Sequence, residues 1–228
     1  MNNEVELARG WQITVVRDCL KAADRQQDIV DFISARYSER FLNPILHLNS
    51  QLQDDHGYGF AVMALCCLLI ETLQCYYSGL PSTFPGDYDK IENAKSRGRL
   101  VIENDYAIPH DQRPKRGEGY KVFETFFGAH RILFPGVDGK EFYYNFRNGL
   151  LHQAQTFDGW RIKKTGILWD KEKKTVNRTL FANKLHQSFD QLLNKLRLST
   201  WDDDIWVKTR RKVWWIAQLS EIDLRNSD

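Results

Sequence analysis

Residues 58–78 read as one long helix that is apolar almost all the way round, and no other segment constrains the fold as strongly. A helix without a polar face must be surrounded by protein, so Tyr58–Ser78 is expected to form the central element of a helical bundle. Gly79 and Pro81 close it in the manner usual for a helix C-terminus. Glu71 is its one charge, and a carboxylate in such surroundings needs a partner, because an unpaired buried charge is strongly unfavourable. Arg147 is the candidate partner. The uninterrupted apolar run Phe60–Ile70 is shorter than the roughly 20 residues of a bilayer span, so no membrane association is expected.

The rest of the chain carries mostly helical periodicity. An N-terminal helix is expected from about 13 to 42, with Ile29, Ile33, Tyr37 and Phe41 on its buried stripe. Asn43-Pro44 should end it, since proline removes a donor and biases the preceding residue away from helix. A polar connector follows at 49–59. Residues 80–117 read as a long polar insertion with four prolines, and its Arg113, Lys115 and Arg116 are candidate RNA-phosphate contacts. A helix near 118–133 brings Val122, Phe123, Phe126 and Phe127 to the core. Two strand-like stretches flanking Asp170-Lys-Glu-Lys-Lys174 suggest a small β-hairpin within 159–180. A helix over 181–198 and a Trp-rich helical tail complete the pattern. The tail's Asp202, Asp203 and Asp204 precede Lys208, Arg210, Arg211 and Lys212, an order that suits helix-end electrostatics better than a metal site. The expectation is an all-α antiparallel bundle over 1–198, with a small hairpin, and a packed helical extension at 199–228.

Composition sets outer bounds. With 42% apolar residues, 228 residues can bury a substantial core. The four cysteines form no Cys-x-x-Cys pair, and three lie in the apolar helix, as suits small buried hydrophobes in a reducing compartment. No signal-sequence pattern opens the chain, so a cytoplasmic location is expected. Neither a Gly-rich phosphate loop nor a zinc-ligand spacing is evident, and no cofactor or metal is expected. Residues 151–228 hold 15 Lys and Arg against 10 Asp and Glu, an excess compatible with a nucleic-acid-facing side.

Chemistry concentrates in Arg147-Asn148-Gly149-Leu150-Leu151-His152. Asp138 is a candidate N-cap with Glu141 three residues on, and Phe142, Tyr143, Phe146, Leu150 and Leu151 then form a helical stripe. Asn148 and His152 are expected one turn apart, with Arg147 on the flank. An arginine suits holding a phosphodiester, and an imidazole suits moving a proton beside it. Spacing alone is weak evidence: with 17 Arg and 6 His, about one Arg-x4–6-His pair is expected by chance. Arg40 and His47 make a second such pair, with Pro44 between them, so they should not share a continuous helix.

The stretch Phe142-Tyr-Tyr-Asn-Phe-Arg-Asn-Gly-Leu-Leu-His-Gln153 resembles the final-helix motif of the HEPN superfamily, and the helix around Ala64–Gly79 resembles that family's earlier core helix. Together they cover about residues 58–155. The resemblance implies a helical bundle, homodimerisation that joins two motifs in one composite site, and metal-independent endoribonuclease activity in a toxin or anti-phage effector, with an antitoxin or regulatory partner. It casts Arg147, Asn148 and His152 as catalytic, with Glu71 in support. Some members are non-catalytic, so a nucleotide- or RNA-binding or protein-interaction module is the competing reading.

Overall fold

The computed structural model describes residues 5–50 and 57–225. Part of the expected 49–59 connector therefore lies outside the described residues. The chain is mostly helical with two small sheets. It opens with an antiparallel pair that the periodicity does not announce, β1 (Glu6–Ala8) with β2 (Trp11–Gln12). Then come α1 (Ile13–Cys19), a 3-10 turn (Ala23–Arg25) and α2 (Gln26–Tyr37). The expected single helix over 13–42 is thus broken. Residues 21–25, Lys-Ala-Ala-Asp-Arg, offer the apolar stripe nothing larger than alanine, and the chain turns there.

Pro44 does not end the next helical run. Beyond Tyr37 the backbone passes through a π-helical turn (Ser38–Leu42) into α3 (Asn43–Ser50). In a regular α-helix the ring of Pro44 would collide with the carbonyl of Arg40, four residues earlier; the wider π-turn gives it room. Arg40 and His47 therefore lie on one continuous helical run, and the expected break between them is absent.

α4 is Tyr58–Ser78. By length and composition it could cross a membrane, so the short run Phe60–Ile70 understates it, but half of the qualifying stretch is buried inside the protein, consistent with a soluble chain. The polar segment after it is more ordered than a loop. It contains α5 (Pro85–Ser96), begun by a proline where the missing N–H costs nothing, and 3-10 turns at Asn104–Tyr106 and His110–Gln112. α6 (Tyr120–Ala129) follows. α7 (Gly139–Phe142) then runs through a second π-turn (Tyr143–Asn148) into α8 (Gly149–Gln153). In the second sheet β3 (Arg161–Lys163) pairs parallel with β5 (Thr175–Asn177), and β4 (Trp169–Asp170) pairs antiparallel with β5. The hairpin is therefore β4–β5, and β3 lies along the other edge of β5. α9 (Arg178–Leu198) starts where the Asn177 side chain accepts from the N–H groups of Thr179 and Leu180 at 3.1 Å. α10 spans Asp204–Arg225.

The chain divides into two compact units, Met1–Tyr37 with Cys75–Arg116 and Leu193–Asp228, and Ser38–Gln74 with Gly117–Leu192. In the first, Trp206 and Trp215 are fully buried, and the Trp206 indole N–H donates to the Leu196 carbonyl at 2.9 Å. Trp215 donates to the Tyr106 carbonyl at 3.1 Å while Trp214 stacks on the Tyr106 ring. These contacts fasten residues 104–106 to the tail helix. Asp203 accepts from the Thr200 N–H, and Asp204 pairs with Lys208 at 2.7 Å, so both serve the helix start.

The second unit is built on aromatic rings. Phe142 stacks on Phe181 and on Phe146 with centroids 5.1 Å apart in each pair, and Phe123, Phe126, Phe127 and Phe134 surround them. Phe146 meets Trp160, which packs against Trp169. Gly139 lets the start of α7 lie directly on α6, for a Cβ there would come within 2.5 Å of the Glu124 backbone nitrogen. Gly149 admits the Gln155 carbonyl oxygen just as closely, while Gln155 N–H closes back on the Gly149 carbonyl at 3.2 Å. Gly149→Ala should thus displace the end of α8 and cost about 1–3 kcal/mol of stability, read by chemical denaturation.

His130 packs against Phe126. Burial lowers its pKa from 6.5, a hydrogen bond to Gln191 opposing. The folded state then binds fewer protons than the unfolded chain as pH falls, so this group's contribution is full above about pH 6.5 and is lost below it. His130→Gln should flatten the decline in stability between about pH 7.5 and 5, measured by denaturant titration at each pH.

Candidate active site

Glu71 and the motif helix meet in the second unit. The Nε–H of Arg147 donates to the Glu71 carboxylate at 2.8 Å, and both side chains are largely covered. A second arm of the same guanidinium, Nη1, lies 3.2 Å from His152 Nε2. Arginine has donors only, so Nε2 accepts, and in this contact the imidazole carries its proton on Nδ1. The result is a linear relay from a carboxylate in the apolar α4 through a half-buried cation to an exposed histidine.

The backbone explains how residues five apart can touch. In a regular α-helix they stand about 140° apart around the axis. The π-turn Tyr143–Asn148 shifts the phase just before α8, and the long arginine side chain covers the remaining distance. His152 is contacted by Arg147, and the half-buried Asn148, at the N-cap of α8 one turn before His152, makes no side-chain hydrogen bond with a described residue. The helix starts as the sequence suggests, with the Asp138 carboxylate accepting from Glu141 N–H at 2.9 Å. The Glu141 carboxylate turns instead to Lys171, 3.2 Å away. Ala154 ends α8 in the left-handed region.

Tyr143 is a site residue that the sequence pattern conceals, because it reads as one more member of the apolar stripe. The Arg147 guanidinium sits 5.8 Å over its ring. Its position four residues before Arg147 was the available clue. Gly119 leaves room for the phenol: a Cβ there would fall 2.5 Å from the Tyr143 hydroxyl.

The neighbouring thiols are inert. Burial raises the pKa of Cys66 and Cys67; at Cys67 the charge of Glu71 adds to the rise and that of Arg147 opposes it. Arg113, Lys115 and Arg116 belong to the first unit, where they line an open cleft of about 490 Å³ with Pro85, Tyr88 and His110. Arg113 is paired there with Glu92 at 2.8 Å and Arg116 with Asp89 at 3.4 Å, so two of the three charges are balanced locally by α5. Among the described residues no group of three or more His, Cys, Asp or Glu converges as metal ligands would.

Comparison with known proteins finds no matching family model, no matching curated protein and no matching solved structure. The class that fold and site define is therefore a mostly helical protein with a carboxylate–guanidinium–imidazole relay.

If the Glu71–Arg147 pair anchors the relay, Glu71→Ala should destabilise the protein by about 1–3 kcal/mol. The double variant with Arg147→Met should lose less than the two single losses summed. Urea denaturation of the four proteins measures the coupling.

Proposed function

We propose that the protein is a metal-independent endoribonuclease of HEPN type. The observation that carries the reading is the Glu71–Arg147–His152 relay, which holds a cation suited to a phosphodiester against an imidazole suited to proton transfer. A phosphate drawing Nη1 of Arg147 to itself releases the Nε2 lone pair of His152. That nitrogen then takes the proton of the ribose 2′-hydroxyl. The 2′-oxygen bonds to phosphorus, the bond from phosphorus to the 5′-oxygen breaks, and Arg147 stabilises the charge gathered on the phosphoryl oxygens. The products are a 2′,3′-cyclic phosphate and a 5′-hydroxyl. The leaving oxygen takes its proton from an imidazolium, which the second copy of the motif supplies in a homodimer. Asn148, whose amide makes no hydrogen bond with a described residue, contacts the phosphate. Glu71 positions Arg147.

The composite-site reading draws support from α4. Phe60 and Leu68 are exposed on the helix that carries Glu71, at 41% and 37%, an apolar surface that a second copy can cover. A HEPN-like bundle, a toxin or anti-phage role, an antitoxin or regulatory partner and a cytoplasmic location belong to the same proposal. The arrangement of His152 also favours a second reading, a non-catalytic nucleotide- or RNA-binding or protein-interaction module, because its lone pair is occupied by Arg147.

Incubation of single-stranded RNA with the purified protein in EDTA separates the two. The enzyme reading expects cleavage by the wild type, a loss of about 10²-fold or more in His152→Ala and Arg147→Ala, and no cleavage of DNA. RNA bound but left intact by the wild type favours the binding module.

A further inference from the structure

The aromatic surface beside Arg147 extends past the ring under its guanidinium. Tyr143, under the guanidinium, meets Tyr144 edge-on with centroids 5.3 Å apart. Tyr144 in turn lies nearly parallel to Tyr120 of α6, at 6.3 Å and 23°. Lys140, exposed, places its ammonium 5.0 Å over the Tyr120 ring. All four residues belong to the second unit, as Arg147 and His152 do. Tyr144 is 44% exposed, whereas Phe142 and Phe146 on either side of it in the same helical run are fully buried, so core packing does not account for its ring.

We infer that Tyr143, Tyr144 and Tyr120 form a stacking platform for the nucleobase that neighbours the scissile phosphate in single-stranded RNA. The inference rests on the RNA reading of Arg147 and His152 and adds what holds the flanking nucleotide. Three observations point to this ligand rather than to a protein surface. The ring series is continuous with the cation assigned to the phosphate, so a base and its own phosphate can be engaged together. Tyr144 and the half-buried Tyr120 hold nearly parallel rings, and the exposed Tyr144 leaves its ring open to a planar base. Lys140 sets a second cation at the far edge of the platform, where the next phosphate of the strand passes. A stack of this kind tolerates any base and rejects a duplex, whose bases are already stacked on one another.

The test uses a short fluorescent single-stranded RNA bearing 2′-O-methyl groups, which binds but offers no 2′-hydroxyl for attack, with affinity read by fluorescence anisotropy. Tyr144→Leu should weaken binding by about tenfold or more, as should Tyr120→Leu. Tyr144→Trp should bind at least as well as the wild type, and the same strand in a duplex should bind more weakly than the single strand. Thermal unfolding of each variant checks that the fold persists. Wild-type affinity in both leucine variants would overturn the platform and leave the RNA reading standing. A weak Tyr144→Trp variant with an intact fold would also overturn it, since loss without aromatic rescue is not stacking. A wild-type protein that binds no RNA at all would overturn both.

Discussion

The ion pair between Glu71 and Arg147 ties the most apolar described helix to the segment that carries His152. Residues 71 and 147 are far apart in sequence, and their bond at 2.8 Å fixes where α4 stands relative to the π-turn and α8. It also leaves the guanidinium with one arm on a carboxylate and another toward His152. Neither group could remain half-buried in this aromatic surrounding without the other, because removing one partner strands a charge. The arrangement is therefore selected by desolvation first, and its geometry toward His152 follows.

Much of this was legible in the amino-acid sequence for the same reason. A single carboxylate in an otherwise apolar helix demands a cation, and Arg147 lies on the next segment with core-forming periodicity. Asp138 as N-cap, the buried cysteines and the phenylalanine core likewise follow from residue chemistry that acts locally. The π-turns at 38–42 and 143–148 did not, since periodicity is read against 3.6 residues per turn and a widened turn leaves no compositional mark. That one gap accounts both for the helix that persists through Pro44 and for the reach of Arg147 to His152 five residues on.

Other parts stayed hidden because their apolar signal is thin. α5 buries only Tyr88, Ile91 and Ala94, too sparse a stripe to stand out among prolines and charges. β3 takes an edge of β5 beside the expected hairpin, a choice made by packing near Trp160 and Trp169 rather than by turn residues. The tyrosines at 120, 143 and 144 carry the opposite lesson. Aromatic residues in helical register read as core, and only the fold distinguishes the buried phenylalanines from rings that face outward beside a cation.

On the proposed reading, an electrostatic anchor, a phase-shifted helix and an aromatic flank cut RNA without a metal, with the ribose 2′-oxygen as the nucleophile. Mass spectrometry of the ends produced from a defined RNA in EDTA tests this most directly, with a parallel substrate that carries one 2′-deoxy nucleotide at the cut position. The expected result is a 2′,3′-cyclic phosphate and a 5′-hydroxyl, with cutting abolished at the deoxy position alone. Products that carry a 5′-phosphate and a 3′-hydroxyl, or undiminished cutting at the deoxy position, would contradict it.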